Sequence, residues 1–170
     1  WFYANGDNFT VSLFYKDITA PIERIRFAGS DDDVKLGFKN AQSGEVYGIE
    51  FEGLKDLASV HHSLDGLFLS GNLTLSESEI IIGGTDIGLT HNKRRLTGHS
   101  EYVFNAQLGY DSSDNLHSIS VVYNVFGDRI FFAGRDGNND AFERPFHSMD
   151  FVYSFYPTEN TSLKLKAKNL

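Results

Sequence analysis

The chain has 170 residues, no cysteine, and 15 basic against 23 acidic side chains, for a formal net charge of −8. That length fits one domain or a piece of a larger one; the lack of cysteine excludes disulfide frameworks, thiolate catalysis and Cys-ligated zinc, and the acidic balance makes nucleic acid an unexpected partner. No apolar run exceeds four residues, which excludes membrane-spanning helices and says nothing against a barrel. The chain opens on Trp1-Phe2-Tyr3 with no initiator Met and is read as an excised or processed segment, a single unit over residues 1–170.

Period-two alternation recurs along nearly the whole sequence and predicts strands. From Asn8 to Asp17, Phe9, Val11, Leu13 and Tyr15 share one face, and Thr10, Ser12, Phe14 and Lys16 the other. Pro21 to Gly29 alternates less cleanly, with Ile25 and Phe27 against Arg24 and Arg26. Glu45 to Gly53 sets Tyr47, Ile49 and Phe51 against Gly48, Glu50 and Glu52. Helical spacing is confined to Leu54, Leu57, Ala58 and His61, hemmed by Gly53 and Asp65-Gly66, so at most a turn of helix is expected there. Leu64 to Ser76 is the clearest strand: Leu67, Leu69, Leu73 and Leu75 oppose Ser70, Asn72, Thr74 and Ser76. Tyr102 to Asp111, Leu116 to Phe126, His147 to Tyr156 and Thr161 to Leu170 complete about eight strands.

The connections alternate in length. Short ones at Asp17 to Ala20, Lys55 to Ser63, Asp111 to Asn115 and Pro157 to Asn160 are separated by long ones at Ser30 to Gly44, Glu77 to Glu101 and Gly127 to Phe146. In an up-and-down meander, successive connections fall at opposite ends of the sheet. All short turns therefore gather at one end and all long loops at the other, as in outer-membrane barrels. Phe14-Tyr15, Tyr110 and Phe155-Tyr156 immediately precede three of the short turns, where rings suit an interfacial girdle. The polar face is mostly Ser, Thr, Asn, Gln and Gly, which favours an enclosed lumen over bulk water. The expected fold is all-β, an antiparallel up-and-down meander of about eight strands forming a segment of a transmembrane β-barrel. A soluble sandwich alternates too. The rival is therefore a secreted β-sandwich module for glycans, with the Leu67 to Leu75 row buried between two layers.

With the strands placed, Asn8-Phe9-Thr10-Val11-Ser12-Leu13-Phe14-Tyr15-Lys16-Asp17-Ile18 and Val46-Tyr47-Gly48-Ile49-Glu50-Phe51-Glu52 resemble late barrel strands of TonB-dependent outer-membrane receptors. Arg95-Leu96-Thr97-Gly98-His99-Ser100 leading into Val103 to Tyr110 is similar to that family's return from a long loop. Tyr123 to Ile130, Pro145 to Asp150 and Leu163 to Leu170 follow in the family's order. The resemblance covers essentially the whole chain and implies the C-terminal part of the barrel, without plug, TonB-contacting segment or final hairpin. It further implies a bacterial outer-membrane location and energised import of a scarce nutrient such as a metal chelate or glycan. The implied partners are outer-membrane lipid and, through other parts of the chain, the TonB complex. An incomplete barrel leaves strand edges and an apolar face open, so the isolated chain is expected to self-associate. A plain porin wall is the weaker structural alternative.

No catalytic constellation, phosphate loop or nucleophile elbow is present, and no enzyme activity, cofactor or metal is expected. His61-His62 on an extended segment would point to opposite faces. Asp136, Asn138 and Asp140 open like a calcium loop, but Ala141 stands where its glycine belongs and His147 at its bidentate Glu position. Asp31-Asp32-Asp33 reads as a solvated acidic loop. Lys93, Arg94 and Arg95 form a compact basic cluster in an acidic chain, and Arg129, Arg135 and Arg144 punctuate the next long loop. These six are the candidate ligand-binding positions. Facing outward, the Lys93 to Arg95 cluster is expected to meet an anionic ligand or lipopolysaccharide phosphate, or else to pair with the Asp31 to Asp33 run in a neighbouring loop.

Overall fold

The computed structural model describes residues 1–3, 6–28, 34–83, 89–91, 93–135 and 137–170. Its strands are β1 (Asn8–Thr19), β2 (Ile22–Ala28), β3 (Val34–Asn40), β4 (Ser43–Asp56), β5 (Leu67–Ile81), β6 (Lys93–Arg94), β7 (Tyr102–Asp111), β8 (His117–Phe126), β9 (Arg129–Phe132), β10 (Ala141–Glu143), β11 (Phe146–Thr158) and β12 (Thr161–Ala167). One antiparallel sheet holds β1, β4, β5, β7, β8, β11 and β12 in that spatial order, with β6 against the end of β5. It is a meander. The remaining strands form two separate hairpins, β2–β3 and β9–β10, within the long connections.

Direct antiparallel partners share a face, so the register converts the alternation of each strand into two surfaces. Leu69 stands opposite Leu108, which stands opposite Val121 and then Phe151; Leu73 stands opposite Phe104, then Val125. Val11, Leu13, Phe51, Ile49 and Leu75 continue the same surface toward β1. The opposite surface carries Thr10, Glu52, Asn72, Asn105, Asn124 and Ser148, again in register. No described residue forms a layer over the apolar surface, and Leu13 on β1 is 80% exposed. A second layer over the Leu67 to Leu75 row, which a sandwich needs, is absent among the described residues. The apolar stretch of β5 from Leu67 to Leu75 suits a tilted strand crossing a bilayer core, for which about 9–11 residues suffice.

Two predicted elements are corrected. Pro21 to Gly29 is not a wall strand: β1 pairs directly with β4, and Val34–Asn40, predicted as loop, is the strand that pairs with β2. The registers explain why. Thr19 faces Ser43 and Ile22 faces Asn40, so β1–β2 and β3–β4 are two arms of one long hairpin on a single register. Ala20 at φ +52° and Pro21, which has no N–H to give, interrupt that hairpin. The same construction recurs later. Phe126 faces Phe146 and Ile130 faces Phe142, again a single register, interrupted at Gly127-Asp128 and Arg144-Pro145. Each hairpin thus has a lower part in the wall and an upper part above it, with a proline at the break.

Because Asp17 to Ala20 leads into the first long connection, Phe14-Tyr15 lies at the long-loop end, not beside a short turn. The short turns that remain are residues 57–66, 112–116 and 159–160. Tyr15 and Tyr47, at the long-loop end of the apolar face, donate hydrogen bonds to Glu45 (2.9 Å) and Glu77 (2.7 Å). Tyr110, Tyr153 and Phe155 lie toward the short turns. Rings therefore stand near both ends of the apolar band, as two membrane interfaces require.

Large rings on the polar face lean over glycines of the next strand. A Cβ on Gly109 would fall 2.1 Å from Phe68 Cζ, and one on Gly48 would fall 2.8 Å from Phe14 Cζ. At the edges, Phe2 bridges Asn8 and Trp1 stacks on Phe9 with centroids 6.4 Å apart, so the free side of β1 is partly covered. Past β12, Asn169 adopts φ +57° and the Leu170 N–H returns to Met149 O at 2.9 Å.

The face assignment predicts unequal costs for a buried charge. In a complete barrel refolded in detergent or lipid, Leu73→Arg should destabilise by about 2–4 kcal/mol and Asn72→Arg by clearly less. Equal losses in denaturant titration would overturn the assignment. Independently, Gly109→Ala should displace the Phe68 ring and destabilise by about 1–3 kcal/mol in the same titration.

Candidate functional site: the rim between the two tall hairpins

The wall has little interior of its own, and most of the buried side chains sit above it. Ala41, Ile80 and Ile82 pack together with Leu89 and Leu96. Ile25 of β2 is 2% exposed and bridges Ala133, whose N–H donates to Arg24 O at 3.2 Å. The upper halves of both hairpins therefore lean on each other, and the segment between β5 and β7 wedges between them. Glu23 of β2 holds that wedge: it takes Arg94 Nη1 at 2.8 Å and the Thr97 N–H at 3.3 Å. Gly98 N–H completes the joint by donating to Ile130 O at 2.8 Å.

The structure separates the predicted basic cluster. Arg94 points inward to its buried pair with Glu23, both side chains no more than 5% exposed. Lys93 points outward to Glu79 at 2.9 Å. Arg95 is held between Glu101 and Asp128, each at 3.0 Å, with its guanidinium 5.8 Å from the Phe142 ring centroid. The carboxylates that neutralise these cations are therefore Glu23, Glu79, Glu101 and Asp128. The Asp31 to Asp33 run lies outside the described residues. Arg135 forms a bridge with Leu89, and its carbonyl accepts the Asn138 N–H at 3.0 Å. Arg144 is exposed and makes no ion pair with any described residue.

The other motifs have local uses. Asp140 accepts the Gly134 N–H at 2.7 Å and lies 3.5 Å from His91, while Asp136 is outside the described residues. His61 caps a short 3-10 turn by accepting from Ser63 N at 3.2 Å. No group of three or more His, Asp or Glu able to hold a metal occurs among the described residues.

Between the hairpins lies a cavity of about 350 Å³, lined by Arg24, Phe38, Thr97, Arg129, Phe131 and Glu143, with Ile22, Gly98 and Ile130. Arg24 sits 4.8 Å from the Phe131 ring centroid and Arg129 4.2 Å from that of Phe126. Arg129 Nε also meets Glu143 Oε2 at 2.6 Å. That hydrogen bond, with the charges of Arg129 and Arg24, holds the Glu143 carboxyl below its ordinary value although partial burial opposes the shift. Two guanidinium groups and one carboxylate leave one net positive charge against aromatic walls. Such a lining suits an anionic ligand that presents flat aromatic rings. Arg24 was invisible as a candidate because its segment read as wall; its alternation with Ile25 was the available signal.

Similarity to known proteins is confined to structure. No protein-family model and no curated protein matches the sequence. Among solved structures, the ferric-catecholate import receptor Fiu from E. coli K12 superposes over 100% of this chain and 22% of its own, with TM-score 0.66 at 17% identity. This chain has the fold of TonB-dependent receptor wall. The siderophore receptor PirA from Acinetobacter baumannii agrees over 96% of this chain and 25% of its own, with TM-score 0.59 at 13% identity. A variant of the ferric enterobactin receptor PfeA from Pseudomonas aeruginosa, crystallised with enterobactin, agrees over 95% and 23%, with TM-score 0.59 at 18% identity. The chain thus spans about a quarter or less of the receptors it resembles. All three are receptors rather than enzymes.

The buried pair makes the rim sensitive to a single change. Glu23→Ala leaves Arg94 buried without its counter-charge, and removing one partner of such a pair costs about 3–5 kcal/mol. Limited proteolysis should then cut within residues 89–101 while β5 and β7 stay protected. Unchanged resistance would show that the pair does not hold the wedge.

Proposed function

We propose that the chain is part of the wall and extracellular rim of a bacterial outer-membrane receptor that captures a small anionic metal chelate for energised uptake. The observation that carries this reading is the cavity between the tall hairpins, lined by Arg24 and Arg129 with the rings of Phe38 and Phe131, above a wall with one apolar and one polar face. The receptors of like fold are described as taking ferric catecholates or enterobactin, ligands of matching chemistry. Lipid contacts the apolar face, the TonB complex acts through other parts of the receptor, and outside a closed barrel that face associates with detergent or a second copy.

Within this reading Arg129 is a direct ligand contact together with Arg24, and Arg144 and Arg135 extend the positive rim. Lys93, Arg94 and Arg95 serve the ligand less directly, since their charges are engaged by carboxylates: Arg94 and Arg95 hold the wedge in place, and Lys93 faces outward. A glycan-binding sandwich gains no support from a single-layer sheet with an uncovered leucine row.

With ferric tris-catecholate as the probe and the complete receptor in detergent, Arg24→Gln and Arg129→Gln should each weaken binding by roughly tenfold, as loss of a charge-assisted contact does. Added salt should weaken the parent's binding more than either variant's. Unchanged affinity in both variants would remove the cavity as the binding site.

A further inference from the structure

His99 does not line the cavity, but its neighbours Thr97 and Gly98 do. Its imidazole is set between two hydroxyls on the polar face of β5, with Nε2 2.9 Å from Ser76 Oγ and Nδ1 2.9 Å from Ser78 Oγ. Ser78 is buried and its Oγ also accepts the Leu96 N–H at 3.1 Å, while Ser76 N–H donates to Glu101 O at 2.9 Å. Residues 96–101 are therefore fastened to the wall by one small network centred on a histidine. Their other side is fastened to the hairpins through Glu23 and Ile130.

We infer that His99 is a latch: as a neutral imidazole it clamps residues 96–101 onto β5 and keeps that side of the cavity in place, and on taking up a proton it releases them, making ligand capture depend on pH. The consequence for capture rests on the proposed function; the latch itself does not.

The hydrogens give the direction. Ser78 Oγ accepts from Leu96, so its own hydrogen is available to Nδ1, and Nε2–H is the donor to Ser76; the tautomer is assigned from this network. An imidazolium carries hydrogens on both nitrogens. Ser78 Oγ has lone pairs for both Leu96 N–H and Nδ1–H, but its hydroxyl hydrogen, on a buried side chain, would lose the acceptor it has in Nδ1. Glu101 favours the new charge, but it is engaged by Arg95, whose own charge opposes it. Glu77 and Glu79 lie on the opposite face of β5 with Tyr47 and Lys93, Glu23 holds Arg94, and Asp128 and Glu101 hold Arg95. Burial, followed by the Arg95 charge, keeps the imidazole below its ordinary value, with Glu101 opposing. Because the clamped state binds the proton less readily than the open one, clamping is fully favoured above about pH 6.5 and is lost as pH falls through the lowered value.

The test uses the complete receptor in detergent without ligand, followed by hydrogen exchange corrected for its intrinsic pH dependence. Between about pH 7.5 and about pH 5, protection of the Leu96 and Ser76 amides should fall by roughly tenfold or more, while that of Leu73 stays level. In His99→Gln the fall should vanish. Level protection in the parent, or an equal fall in the variant, overturns the latch. Histidine-selective NMR gives a readout that survives a poorly folding variant: His99 should be the Nε2–H tautomer at neutral pH, and titration above its ordinary value overturns the assignment. Acid protonates ferric tris-catecholate itself, so the reading is a difference: its binding should weaken toward the lower pH more in the parent than in His99→Gln. Opening with no such difference overturns the link to capture and the cavity as binding site, while the latch stands.

Discussion

Everything in this structure depends on keeping register across an antiparallel ladder. Side chains alternate with a period of two, so a slip of one residue between neighbours would exchange the two surfaces of a strand. Leu69, Leu108, Val121 and Phe151 form one row, and Asn72, Asn105 and Asn124 another, only because every pair from β5 to β11 holds its place. The polar row reinforces this, with Asn105 Nδ2 donating to Asn72 Oδ1 at 2.7 Å. Phe68 over Gly109 and Phe14 over Gly48 act likewise, since each ring fits only beside a residue without a Cβ.

The same registers govern the rim. Both tall hairpins continue the pairing of the wall beyond their breaks, so the upper strands are extensions of wall strands, not separate domains. At Pro21 and Pro145 the ladder loses a donor, although Pro21 O still accepts the Ala41 N–H at 2.8 Å, and beyond the breaks the upper arms lean on each other through Ile25 and Ala133. This division places the hydrophobic interior above the wall, and it gives the residues between β5 and β7 two rigid supports to wedge between.

Charge is handled differently in the two regions. Along the apolar face it is kept to the two ends, with Lys55 paired to Asp7 toward the short turns and the tyrosine–glutamate pairs at the level of Tyr15 and Tyr47. Within the rim, Lys93, Arg94, Arg95 and Arg129 each meet a carboxylate, and buried Arg94 with Glu23 is the extreme case. A pair so deeply placed adds little net stability but makes any other arrangement of the wedge expensive, which fixes its geometry. That fixed geometry sets Arg24 and Arg129 at their stations, and it leaves His99 in a network of hydroxyls while Glu101, which favours its charged form, is engaged by Arg95.

The sequence by itself determined the class of the fold, the strands of the wall from Glu45 onward, which residues face which way, and the gathering of long loops at one end. These follow from period-two alternation and connection length, both local properties. It did not single out Val34–Asn40 as a strand, although Val34, Leu36 and Phe38 alternate with Lys35, Gly37 and Lys39, because so short a run inside a polar connection also reads as loop until its register with β2 is known. Nor did it show that Lys93, Arg94 and Arg95, adjacent in sequence, part toward Glu79, Glu23 and Asp128. Only the tertiary structure decided that, since the partners lie on β5, β2 and the β8–β9 break. Arg24 and Arg129, more than a hundred residues apart, reach one cavity for the same reason: two hairpins continue past their prolines and lean together, a long-range packing that no local pattern encodes.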